Sequence, residues 1–228
     1  MRPKDRFSPL EFALVIGTAF GWSILFSVYA LILGTTVGES ASQQSFGNAH
    51  LLGVVVQEAL LAPVPLAVLW VRGWRVADFR LGASISATAA GFAIYVAALV
   101  ANFLINLLLQ AAFPVAESAL EALGAYRPST GPTLATVVLV SLVNPVFEEV
   151  FVCAYVVEAL RPRFGVTAAI NASVVIRASY HLYQGIPAFP FHCAYGLLQA
   201  YVYARFGRLW PLIVSHALLD FAAFVQLT

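Results

Sequence analysis

The sequence predicts an all-α bundle of about seven membrane-spanning helices, and three observations carry that prediction. Of the 228 residues, 61% are hydrophobic and only 10% are charged, where a soluble domain carries about 25% charged residues. The apolar residues fall in continuous runs, not in the alternation of a barrel strand. The basic residues gather between alternate runs. A mean hydropathy of +0.86 agrees, and a water-soluble domain is excluded. Twelve basic and eleven acidic residues give a net charge of +1, so nothing suggests nucleic acid as a partner. Cys153 and Cys193 both lie in apolar runs, and two cysteines make neither a disulfide framework nor a metal finger.

The expected spans are Phe12–Leu33, Leu51–Val71, Ala87–Ala112, Thr133–Glu158, Val166–His181, Phe189–Phe206 and Leu209–Leu227. Each approaches the roughly 20 residues that cross a bilayer. The first is too long for a signal-peptide core and reads as an uncleaved anchor. Gly34–Ala49 reads as a polar outer loop, and Phe113–Pro132 as another, with room for a short surface helix. The whole chain, 1–228, reads as a single membrane domain, with a three-helix part over 1–132 and a four-helix part over 133–228.

Orientation follows from the Lys and Arg positions. Arg2, Lys4, Arg6, Arg72, Arg75, Arg80, Arg161, Arg163, Arg205 and Arg208 all fall on one side of a seven-span thread. Only Arg127 falls on the other, and Arg177 lies within a span. The N-terminus is therefore expected in the cytoplasm and the C-terminus outside.

Ionisable groups in hydrocarbon cost about 2.5–3.5 kcal/mol each on insertion scales, so they mark function. They are Glu58, Glu148, Glu149, Arg177 and Asp220, with His181, His192 and His216. Most lie in the last four spans. In the fourth, Asn144 and Glu148 are four apart and share a face. Glu148 and Glu149 are adjacent, so they point about 100° apart and cannot serve one ligand equivalently. Pro145 removes a backbone N–H and frees the carbonyl of Ser141. In the fifth span Arg177 and His181 share a face, and Gly185, Pro187 and Pro190 then break the helix. In the seventh, His216 and Asp220 are four apart, and a carboxylate there can fix the imidazole tautomer. A carboxylate with one His can hold and deprotonate a water, and a second His can donate to an oxyanion. That set suits amide hydrolysis inside the membrane. Glu58, next to Gln57 in the second span, reads equally as a supporting group or a salt-bridge partner. His192 reads as core or interface packing.

The segment from about Thr133 to Leu227 resembles the CPBP intramembrane proteases, which include type II CAAX prenyl endopeptidases and bacteriocin-processing and immunity proteins. The family pattern is Glu-Glu-x-x-x-Arg, Phe-x-x-x-His and His-x-x-x-Asn or Asp. Here it stands as Glu148-Glu149-x-x-x-Cys153, Arg177-x-x-x-His181 and His216-x-x-x-Asp220. The resemblance implies that Glu148 activates water held by His181, while His216 and Asp220 polarise the scissile carbonyl. It implies a protein or peptide substrate, prenylated or otherwise anchored, in the lipid bilayer. The motif's Arg is replaced by Cys153, and Arg177 stands where the family has an aromatic residue. Arg177 is then the expected partner of Glu149. The family has been read as glutamate-dependent and as metal-dependent. Glu148, Glu149, His181 and His216 include enough ligands for zinc, but adjacent glutamates point apart, so the metal-free reading is favoured.

The rival is a non-catalytic membrane protein of the same fold, acting as a proton relay, partner-binding or immunity protein. A protease gathers Glu148, His181 and His216 around one water-sized site, whereas a relay spaces them along the membrane normal. At about 1.5 Å per residue, straight helices place His216 about 10 Å, Glu148 about 15 Å and His181 about 22 Å from the cytoplasmic side. Those depths favour the relay, but helix tilt can shift each by several ångströms, and the motif match outweighs them.

Overall fold

Ser8 starts the first helix. Its hydroxyl accepts the N–H of Glu11 at 3.3 Å, and Pro9 fills the first helical position, where no N–H is needed. Helix α1 then runs Pro9–Ile32. The structure, a computed structural model, describes residues 7–36, 46–112 and 131–228. The cationic N-terminus, most of both expected outer loops and Arg127 lie outside the described residues.

The second apolar run is helical from Asn48 to Val71, divided as α2 (Asn48–Leu61) and α3 (Pro63–Val71). The third is α4 (Ile85–Ala112). The fourth comprises α5 (Leu134–Glu148), a π-helical stretch (Glu149–Tyr155) and α6 (Val156–Phe164). The fifth and sixth are α7 (Val166–Tyr180) and α8 (Phe189–Phe206), joined by two 3₁₀ turns, and the last is α9 (Trp210–Val225). All regular elements among the described residues are helical. Among the described residues, four continuous stretches, 9–32, 48–71, 85–112 and 134–164, are long and apolar enough to cross a membrane. Their outward faces carry large apolar side chains such as Trp22, Leu25, Phe103 and Leu108, the surface a lipid-facing bundle presents.

The fourth run extends six residues beyond its expected end at Glu158. Glu158 does not stop the helix, because Arg161 Nη2 lies 3.1 Å from its carboxylate one turn on. This run is the most buried of the four long ones and contacts helices on several sides. Helix α5 packs on α2 and α9, and the π-helical stretch meets α1, α7 and α8. Helix α4 packs chiefly on α9. That approach depends on Gly91, where an added Cβ would stand 2.7 Å from Val214 Cβ and 2.8 Å from the Pro211 carbonyl oxygen. The three-helix part is therefore laid directly against the four-helix part.

The charge distribution predicts the side on which the last helix ends. A reporter fused after Thr228 is expected to report from outside the cell; a cytoplasmic signal would overturn the seven-span thread.

Candidate active site

The site begins with a change of helical pitch. Pro145 has no N–H to give the Ser141 carbonyl, and four residues later the helix widens into the π-helical stretch that starts at Glu149. Such stretches recur at functional sites because the wider turn re-aims side chains. Ser173 Oγ donates to the Val152 carbonyl at 2.6 Å, which ties α7 to this irregular backbone.

Arg177 of α7 enters beside it, 1% exposed. Its Nη1 donates to Glu148 Oε2 at 3.2 Å and its Nη2 to Glu149 Oε1 at 2.6 Å. The expected Arg177–Glu149 pair is present, and Glu148 shares the same guanidinium. The two carboxylates are held unequally, in keeping with their divergent directions on the helix. Gly196 of α8 makes room for the arginine, since a Cβ there would meet Arg177 Cδ at 3.2 Å. A guanidinium fork suits this place because each nitrogen addresses a different carboxylate.

Glu149 also accepts from His216 Nδ1 at 2.8 Å. The sequence pointed to Asp220 as the group that fixes this imidazole. Asp220 does lie beside it, its Oδ1 3.5 Å from Nε2, while its Oδ2 accepts from Asn144 Nδ2 at 2.8 Å. Helix α9 packs on α5, which also brings His216 alongside Glu149 and Asp220 alongside Asn144. Tyr195 stands edge-on to His216, with ring centroids 5.8 Å apart.

Glu148 forms the centre. Its Oε2 lies 4.0 Å from His181 Nε2 and 4.0 Å from His216 Nε2, and it accepts the Tyr180 hydroxyl at 2.5 Å. Glu149 is 0% exposed while Glu148 keeps 6%, so Glu148 is the more accessible of the two glutamates. The depth estimate from straight helices is thus corrected. The α5 backbone changes pitch at the glutamates, and α7 ends at Tyr180, which turns His181 back toward them.

Several neighbours escaped sequence reading. Tyr180 is stacked on Phe20 of α1 at 4.8 Å, and its carbonyl accepts from Ser27 Oγ at 2.7 Å. His192 was expected in packing. It lies parallel to His181, with ring centroids 4.0 Å apart, and the Gln184 carboxamide reaches one ring nitrogen of each imidazole. The aromatic-rich run around Tyr180–Tyr183, next to a candidate His, was the one available signal.

Glu58 is buried at one end of a cavity of about 360 Å³ that Ala62, Leu66, Leu142, Phe147 and Phe151 also line. Its Oε2 has no partner among the described residues. Gln57 takes a different direction and donates to Ser23 Oγ at 3.4 Å. Glu58 is within electrostatic reach of Glu148, Asp220 and His216, which fits the supporting reading better than a salt bridge.

Among the described residues no three His, Cys, Asp or Glu side chains converge as metal ligands. The Arg177 guanidinium lies against both carboxylates, so a divalent cation between them would face a fixed positive charge. Cys153, where the family pattern has Arg, is fully buried.

Residues 130–222 match the family model for type II CAAX prenyl endopeptidases described as Rce1-like. No curated protein and no solved structure matches the chain. The matched segment contains Glu148, Glu149, Arg177, His181, His216 and Asp220, whereas Phe20, Ser27 and Glu58 lie before it. The match supports the family that the three motifs indicate: over its C-terminal helices this multi-pass membrane chain is similar to the type II CAAX prenyl endopeptidases.

Proposed function

We propose that the protein is an intramembrane endopeptidase that cleaves a peptide bond of a membrane-anchored substrate with a Glu148-activated water. The observation that carries this reading is the convergence of His181 Nε2 and His216 Nε2 on one oxygen of Glu148, each at 4.0 Å. That separation exceeds a direct hydrogen bond and is short enough for a single water to bridge. A proton relay spaces its groups along the membrane normal, so the clustering favours hydrolysis.

In this mechanism water donates to Glu148 and accepts from His181. Glu148 takes one proton as the oxygen attacks the scissile carbonyl carbon. The carbonyl oxygen gains negative charge and accepts from His216 Nε2–H, the protonated form that Glu149 at Nδ1 and Asp220 beside Nε2 both support. The tetrahedral intermediate collapses, the C–N bond breaks, and Glu148 returns its proton to the leaving amine. Asn144 holds Asp220. Arg177 offsets the charge of the two glutamates and holds Glu148 in place with Tyr180.

No metal takes part in these steps. An active preparation is expected to withstand strong chelators and to show no stoichiometric zinc by elemental analysis. Loss of activity on chelation, restored by zinc alone, would replace this mechanism with a metal-dependent one.

A further inference from the structure

We infer that Gln184 is a positioning residue that sets the tautomer of His181, with His192 as its counterpart on α8; this deepens the protease reading and rests on it. The carboxamide of Gln184 lies in the turn after α7. Its Nε2 faces His181 Nδ1 at 3.4 Å and donates to Tyr183 Oη at 3.2 Å. Its Oε1 lies 2.8 Å from His192 Nε2. One amide therefore uses both donor hydrogens and its acceptor on three ring groups.

A neutral imidazole carries one N–H, and the group facing one nitrogen decides which. With the Gln184 amide nitrogen donating, His181 Nδ1 must be the bare acceptor. The proton then sits on Nε2, the atom 4.0 Å from Glu148 Oε2. The same amide oxygen demands a proton on His192 Nε2. Turning the amide over would reverse both assignments and aim a bare His181 nitrogen lone pair at the Glu148 carboxylate. Repulsion between two acceptors disfavours that state, so Glu148 selects the amide orientation and Gln184 transmits it to His192. The stacked rings, 4.0 Å apart and 8° from parallel, leave His181 little freedom to rotate out of this arrangement. The consequence is chemical. His181 presents a hydrogen-bond donor toward the reacting water, which leaves Glu148 as the only acceptor for the water's proton.

The test is a long-range proton–nitrogen correlation spectrum of the full-length protein in detergent micelles, labelled with ¹⁵N at histidine. Four histidines give signals, and His181 is identified by the loss of its signals in His181→Gln. The expected wild-type result is a bare Nδ1 and a protonated Nε2 on His181, with Nε2 also protonated on His192. In Gln184→Glu the carboxylate can only accept, so His181 is expected to move its proton to Nδ1 or to hold both. The kcat for a membrane-anchored peptide should fall by about 10²-fold with KM nearly unchanged, the size of a misdirected acid–base group. His192→Phe keeps a stacked ring but frees Gln184, and should give mixed tautomers and a smaller loss. A wild-type His181 protonated at Nδ1, or a tautomer that ignores Gln184→Glu in folded protein, would overturn the inference. The spectrum needs no turnover. The predicted tautomer in a protein that cleaves nothing would therefore uphold Gln184 while counting against the protease reading.

Discussion

Glu148→Gln is expected to abolish cleavage of a membrane-anchored peptide while leaving the bundle folded. Glutamine matches glutamate in shape, and its amide oxygen can still accept from Tyr180, which now stands 2.5 Å from Glu148 Oε2. Arg177 keeps its 2.6 Å bond to Glu149, so its charge is not stranded. What disappears is the ability to take a proton from water, worth about 10²–10⁴-fold for a positioned base. Alanine at His181 or His216 should cost on the order of 10²-fold or more, for loss of the water's hydrogen-bond partner or of the oxyanion donor. Initial rates on a reconstituted peptide, beside thermal unfolding of each variant, decide the matter. Full activity in Glu148→Gln would remove the assignment.

Arg177→Ala should be the most destabilising single substitution at the site. The guanidinium holds two buried carboxylates, at 3.2 Å and 2.6 Å, and its removal leaves both glutamates, among the described residues, with histidines as their only ion-pair partners. Breaking a buried pair from one side costs about 3–5 kcal/mol. Cys153, fully buried, occupies the position where the family pattern has Arg. Adding Cys153→Arg to the Arg177→Ala protein is therefore expected to recover part of the loss, because the cation returns to Glu149 from the fourth span instead of the fifth. Denaturant or thermal unfolding of the four proteins of this double-mutant cycle measures the coupling. No coupling between positions 153 and 177 would show that the arginine has not taken over the missing residue's task.

The sequence made the site's members legible because hydrocarbon gives an ionisable side chain no casual reason to be there. Glu148, His181, His216 and Asp220 were found that way, and Arg177 followed as the one cation within a span able to offset Glu149. Helix positions were legible too, since seven apolar runs correspond to the helical stretches with ends shifted by a few residues. The arrangement of the groups was not legible. Straight-helix arithmetic separated His181 from Glu148, because the π-helical stretch at Glu149 and the end of α7 at Tyr180 depend on packing against α1 and α8. The spacing of four did place Asp220 beside His216, but the closer contact with Glu149 comes from another helix and had no signal in the spacing. His192 read as core or interface packing, and Gln184 and Tyr180 carried no reading of their own; the fold around the 3₁₀ turns draws them to His181.

If one Glu148-centred water hydrolyses the peptide, its oxygen must end in the product. Purified protein in liposomes is given a membrane-anchored peptide in H₂¹⁸O, with internal pH recorded and the peptide products weighed by mass spectrometry. The predicted result is a shortened peptide whose new carboxyl group carries one ¹⁸O atom, absent with the Glu148→Gln protein. Intact peptide accompanied by a Glu148-dependent proton leak would contradict it and would make the buried cluster a relay.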